Sequence, residues 1–151
     1  MILMNKFLSS SPIWQTAGLT LIRIAVGLFM IYHGWEIFSE AKMNEYLKWD
    51  IFKNSSGKTL VYLGKGAELI GGILLVLGLF TRLAAIILIG PMIYITFFLG
   101  HGKIFYEDQY PFLFILLGLV FFFMGGGRIS LDHLLFTKNI IKHAGYYSGK
   151  S

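Results

Sequence analysis

The chain contains no cysteine. Disulfides, thiolate metal centres and thiol relays are therefore excluded, and any redox role has to run through a bound cofactor. Charge is scarce too: 14% of residues are charged, with thirteen Lys and Arg against eight Asp and Glu. No basic cluster is interleaved with a soluble pattern, so the positive excess reads as a membrane-orientation signal and nucleic acid is not an expected partner. A nucleotide-binding motif is missing. A cleavable leader is not expected, because Met1–Ser11 carries a single Lys and no small-residue cleavage pattern. The first long apolar stretch is expected to act as its own insertion signal. At 151 residues the chain has room for one domain and none for a separate soluble module.

What fills the sequence instead is apolar. Hydrophobic residues make up 56% of it, and the mean hydropathy is +0.68. A soluble domain of this size has too little interior to hide them. Four stretches stand out: Ile13 to Phe38, Leu60 to Phe80, Leu83 to Leu99 and Phe112 to Met124. A membrane-spanning helix needs about 20 such residues, so the last two borrow interfacial neighbours and run over about 83–101 and 110–127. The expected fold class is all-α: an integral membrane four-helix bundle with short amphipathic surface helices, and a cytoplasmic amphipathic tail over 128–151.

Ser11-Pro12 reads as a helix start. Trp14 and Trp35 are then about 31 Å apart along a helix, near the hydrocarbon thickness. Glu40–Phe52 mixes charges with Tyr46, Leu47, Trp49, Ile51 and Phe52, as a short amphipathic helix on the outer surface would. In the second span Gly64, Gly71 and Gly78 share a stripe, with Gly72 nearby, the small-residue spacing that lets membrane helices approach. Gly90-Pro91 interrupts the third span, leaving the carbonyl near Ile87 without its donor. Gly125-Gly126-Gly127 ends the fourth, and Ser130 is placed to cap a segment from Leu131 to His143 with Leu134, Leu135, Ile140 and Ile141 facing lipid. His33-Gly34 and His101-Gly102, with Thr81-Arg82 and Gly127-Arg128, give a faint internal echo of two related hairpins. Four spans put both termini and the Thr81-Arg82 turn on one side, read as cytoplasmic. That side holds Lys6, Arg82, Arg128, Lys138, Lys142 and Lys150 against the single acid Asp132.

An ionisable group inside a bilayer costs about 2.5–3.5 kcal/mol on insertion scales, so each one needs a reason. Arg23 falls about 13 Å along the helix from Trp14, near the midplane, and Glu68 about 9 Å inside Tyr62. Three explanations stay open: a charge pair pinning the first two helices together, a polar pocket for a ligand or proton, or two groups that never meet and snorkel separately. His33 and His101 fall at the outer ends of the first and third spans, with Glu36 and Lys65 in the same layer. These four are either interfacial side chains in contact with water and headgroups, or the polar end of a quinone-headgroup site. Two His alone are thin support for a haem, and no third ligand has the spacing for a metal. At the other face, Arg128, Ser130 and Asp132 form either a helix stop with a capped surface helix, or a contact with the Arg82 turn or a partner.

The same residues carry a family likeness. Arg23-Ile24-Ala25-Val26-Gly27 followed by His33-Gly34 resembles the first-helix signature of the DoxX family. Glu68 to Arg82 is similar to its second-helix segment, Pro91-Met92 to its third, and Gly125-Gly126-Gly127-Arg128-Ile129-Ser130-Leu131-Asp132 to the stretch after its fourth. The resemblance implies four transmembrane helices in a bacterial cytoplasmic membrane. Some members resemble the membrane subunit of a thiosulfate:quinone oxidoreductase, and others are associated with membrane redox or oxidative-stress complexes. The family's first helix often continues His-Gly-x-x-Lys, where this chain has Ile37, preceded by Glu36. That departure removes a cation from the outer layer and weakens transfer of an anion-binding role, unless Lys65 replaces it from the second helix. Three functions follow as expectations. One is a quinone-linked redox subunit with a redox partner protein. The second is a non-enzymatic scaffold that holds a soluble or membrane partner, and the third a small transporter built on the interrupted third helix and the midplane charges, as a homo-oligomer.

Overall fold

The computed structural model describes residues 14–137. The Ser11-Pro12 helix start, the terminal Lys residues and the tail beyond 137, with Ile140 and Ile141, lie outside them. All regular structure among the described residues is helical. Helix α1 covers Gln15–Gly34 and tightens into a 3-10 turn at Trp35–Phe38. A short α2, Glu40–Tyr46, and a 3-10 turn at Asp50–Phe52 lead into α3, Gly57–Leu77. Helix α4 runs Thr81–Tyr94 and continues as a π-helical turn at Ile95–Leu99, and α5 is Gln109–Met124.

Three of these pieces, Gln15–Phe38, Gly57–Leu77 and Thr81–Leu99, are long and apolar enough to cross a membrane. The fourth is shorter than expected. α5 has 16 residues, about 24 Å at the helical rise, and Gly125 to Gly127 lie beyond its end rather than within it. The second span also starts and stops three residues earlier than hydropathy suggests. Leu79 and Phe80 are apolar but belong to a turn, with Gly78 at φ 64 and Phe80 at φ 48 closing off the helix.

The apolar helices pack in chain order, α1 on α3, α3 on α4 and α4 on α5. Their shared core contains Val26, Met30, Leu75, Leu88, Met92, Ile115 and Phe121. Most other large apolar side chains point outward, as Leu21, Phe29, Leu63, Phe98 and Phe123 do. Outward apolar faces with a small packed interior suit a lipid solvent.

The close approach of α1 and α3 rests on glycines other than the expected stripe. A Cβ on Gly72 would sit 2.8 Å from the Gly27 carbonyl oxygen and from the Ile31 nitrogen, and one on Gly27 would sit 2.8 Å from the Gly72 oxygen. Gly34 meets the Leu69 backbone in the same way. Gly64 has nothing near its missing side chain. A seven-residue stripe marks one face of a helix, but only the positions that meet a neighbouring backbone need glycine.

At one end of the molecule three helix termini are tied together. Asp132, beyond α5, accepts hydrogen bonds from the Phe80 and Thr81 N–H groups at 2.6 and 2.8 Å, and so caps the start of α4. Its own N–H donates to the Gly78 carbonyl at 2.9 Å. Ser130 Oγ accepts from the His133 N–H at 3.2 Å. The carboxylate satisfies two orphan donors and faces the positive end of a helix dipole. Asp132→Ala is expected to cost about 1–2 kcal/mol, the scale of a lost cap, and Asp132→Asn less, since it keeps one acceptor. Reversible unfolding in mixed micelles would measure both.

Two further expectations are revised. Glu40–Phe52 is not one helix lying on the surface. Residues 47–49 break it, and Met43 and Phe52 are buried against Val61. The internal echo is not structural either: His33-Gly34 ends a helix, whereas His101-Gly102 lies in a loop with Gly102 at φ 68.

Candidate functional site

Side chains of a helix lean toward its N-terminus. Helices α1 and α3 pack antiparallel, with Gly27 against Gly72 and Gly34 against Leu69, so Arg23 and Glu68 lean in opposite directions, and the axial gap between them widens. The pairing that sequence left open is therefore absent. The Arg23 side chain is 1% exposed. Its Nη1 donates to the carbonyls of Leu75 and of Val76, the latter at 3.1 Å, and its Nη2 to the Ile129 carbonyl at 2.8 Å. It binds the C-terminal end of α3 to the chain after α5, beside the Asp132 cap. Cation against helix C-terminus is the favourable sense of the dipole.

Glu68 belongs to the opposite end and has a different partner. One turn earlier on α3, the Lys65 ammonium lies 3.1 Å from Glu68 Oε2 and 2.8 Å from Glu36 Oε2. Glu36 comes from the 3-10 turn after α1, where the helix tightens and brings it over α3. The Tyr46 hydroxyl donates to the same Glu36 oxygen at 2.6 Å, and the Lys65 ammonium sits 4.8 Å from the centroid of the Tyr46 ring. Burial, and then the hydrogen bond to the Glu36 carboxylate, push the Tyr46 phenol above its ordinary range, so it remains a donor. The cation that the Ile37 position lacks is thus present in this layer, supplied by α3.

Beside the cluster is a cleft of about 690 Å³ between α3, α4, the start of α5 and the segment that follows α2. Lys65, Glu68, His33 and Tyr46 line its polar end, and Trp49, Phe52, Tyr94, Pro91 and Phe114 its apolar walls. The room comes from glycine and proline. Gly64 and Gly90 line the cleft and meet nothing where a side chain would stand, and Pro91 sits inside α4. Pro91 therefore bounds a cavity while the helix runs on past it. The volume suits one small organic headgroup with part of a tail.

The cleft is lined by three of the six pocket residues expected from sequence, His33, Lys65 and Glu68, and a fourth, Glu36, joins them through Lys65. His33 is exposed, yet close enough to attract both carboxylates electrostatically. Arg23 and His101 are excluded. Arg23 holds the far end together. His101 is an exposed loop residue whose backbone N–H donates to Asp108 Oδ2 at 3.0 Å, and a buried Asp108 also accepts from Lys103 N–H to fix that loop. Of the expected partner motif, Arg82 and Arg128 are exposed, whereas Ser130 and Asp132 make the caps described above. Sequence reading missed Tyr46 and Trp49 as site residues, having assigned them to lipid contact. Aromatic enrichment in a short segment between two spans was the available signal, but it does not distinguish a lid from an anchor.

One ammonium between two carboxylates leaves an excess of acceptors in an apolar surrounding. Such a cluster is suited to holding or passing a proton and to receiving a hydrogen-bond donor. Residues 18–101, from early α1 to just past the π turn, match the family model described as DoxX. The chain is also 35% identical over 127 residues to an uncharacterized protein of Haemophilus influenzae, a match covering 80% of this chain and 92% of that protein. No solved structure matches it.

Proposed function

The chain belongs to the DoxX family of membrane proteins, and on that premise we propose that it is the membrane subunit of a quinone-linked oxidoreductase. Its cleft takes the quinone headgroup, and Glu68 and His33 exchange protons with it. It sits in the bacterial cytoplasmic membrane with the cleft toward the outer face and the Arg23 end toward the cytoplasm. The observation that carries this reading is the Glu36–Lys65–Glu68 cluster at the polar end of a 690 Å³ aromatic-walled cleft. Quinone chemistry couples electrons to protons, and a buried carboxylate next to an exposed histidine offers a short route between ring and solvent. With no cysteine in the chain, the electrons come from a partner protein or a small outer substrate.

The test is to purify the protein in mild detergent and analyse its organic extract by mass spectrometry. A near-stoichiometric quinone is expected. Glu68→Gln is expected to retain at least about tenfold less, the scale of one lost hydrogen bond to a charged group, with helical content unchanged. An extract holding only phospholipid would overturn the assignment.

The scaffold reading draws on a separate observation, the exposed aromatic tip at Phe105 and Tyr106 in the loop before α5. Recovery from native membranes of a stoichiometric partner that is lost when both are changed to Ser would favour it.

A further inference from the structure

The hydrogen-bond inventory of the cleft is one-sided. Lys65 directs its ammonium to Glu36 Oε2 and Glu68 Oε2, and Tyr46 spends its proton on Glu36. The Oε1 atoms of Glu36 and Glu68 accept from no group among the described residues. A ligand O–H therefore meets open carboxylate acceptors here, whereas an oxidised quinone ring brings no donor to them. His33 lines the same end of the cleft. The walls facing the remaining space are flat rings, Trp49, Phe52 and Tyr94 among them, which favour an aromatic head.

We propose that the cleft binds the hydroxyl-bearing form of an aromatic headgroup, a phenol or quinol, with an O–H donating to the Glu68 carboxylate and the ring packed against the aromatic wall. This names the bound form of the ligand in the quinone-linked reading and rests on that reading for the site. It concerns binding alone and requires no electron acceptor.

The probes are 4-octylphenol and 4-octylanisole, which share ring and tail and differ by one O–H, with decylubiquinone as an acceptor-only headgroup. Trp14→Phe and Trp35→Phe, both at exposed positions, leave Trp49 in the cleft wall as the only tryptophan, and its fluorescence reports binding in micelles. The phenol is expected to bind at least about tenfold more tightly than the anisole, the scale of one hydrogen bond to a charged acceptor. In Glu68→Gln that preference is expected to fall to about twofold or less, with anisole affinity retained as evidence that the cleft is intact. Equal binding of phenol and anisole, or a preference that survives Glu68→Gln, overturns the proposal. Binding of decylubiquinone without the phenol overturns it and leaves the quinone-linked reading standing. No response to any of the three overturns both.

Discussion

Arg23→Met is expected to destabilise the protein by about 2–5 kcal/mol, the cost of leaving buried backbone carbonyls without their donor. The substitution roughly keeps volume while removing the charge and its hydrogen bonds together, so the loss reports the polar contacts rather than a cavity. The Val76 and Ile129 carbonyls lose the donor that Arg23 supplies, while that of Leu75 keeps the Gly78 N–H, and each unsatisfied group costs about 1–3 kcal/mol. An apolar replacement can match a buried ion pair when both partners are removed together, but these acceptors are backbone and remain. Arg23→Lys should recover less than half of the loss, because one ammonium cannot fork between carbonyls from two segments as a planar guanidinium does. Unfolding in mixed detergent micelles measures this directly. A second readout separates structure from site: phenol binding in the folded fraction should be unchanged, since Arg23 is not part of the cleft. Wild-type stability in Arg23→Met, or selective loss of ligand from a folded protein, would show that the far-end assignment is wrong.

A single methyl group is enough for the second large effect. Gly72→Ala places a carbon about 2.8 Å from backbone atoms of α1, and backbone cannot swing aside as a side-chain tip can. The two helices have to separate, at about 1–3 kcal/mol for overpacking, while helix propensity returns about 1 kcal/mol in the other direction. Gly64→Ala meets no atom and should be neutral or slightly stabilising. Gly34→Ala, which faces the Leu69 backbone, should behave like Gly72→Ala. The contrast within α3 is the informative result. Equal tolerance at 64 and 72 would mean that α1 and α3 are not packed through Gly27 and Gly72. A larger change, Gly64→Leu, fills the cleft instead of the helix interface, and is expected to remove ligand binding at little cost in stability.

The family and the apolar helices could be read from the chain because both are local properties. Hydropathy over about 20 residues follows from the lipid solvent alone, and a motif such as Arg23 to Gly27 with His33-Gly34 needs no coordinates. The same locality misplaced the ends. Leu79 and Phe80 are as apolar as their neighbours, but two consecutive helices need a turn, and positive φ at Gly78 and Phe80 provides it. Asp132 could be named as a motif residue, but its partners are backbone N–H groups about fifty positions earlier, and backbone donors leave no mark on a sequence.

The sequence by itself determined that this is an all-α membrane-type protein, that the chain brings no thiol of its own, and which few ionisable residues lie within its spans. Only the tertiary structure decided how those residues divide. Arg23 and Glu68 fall near enough in depth to invite pairing, but antiparallel helices lean their side chains toward opposite ends. One charge therefore serves the helix termini and the other joins Glu36, Lys65 and Tyr46 at the cleft. Depth along a helix is a one-dimensional quantity that composition and spacing supply. Which neighbour a buried charge meets depends on rotation about the helix axis and on a third segment folding over it, and both are set by packing.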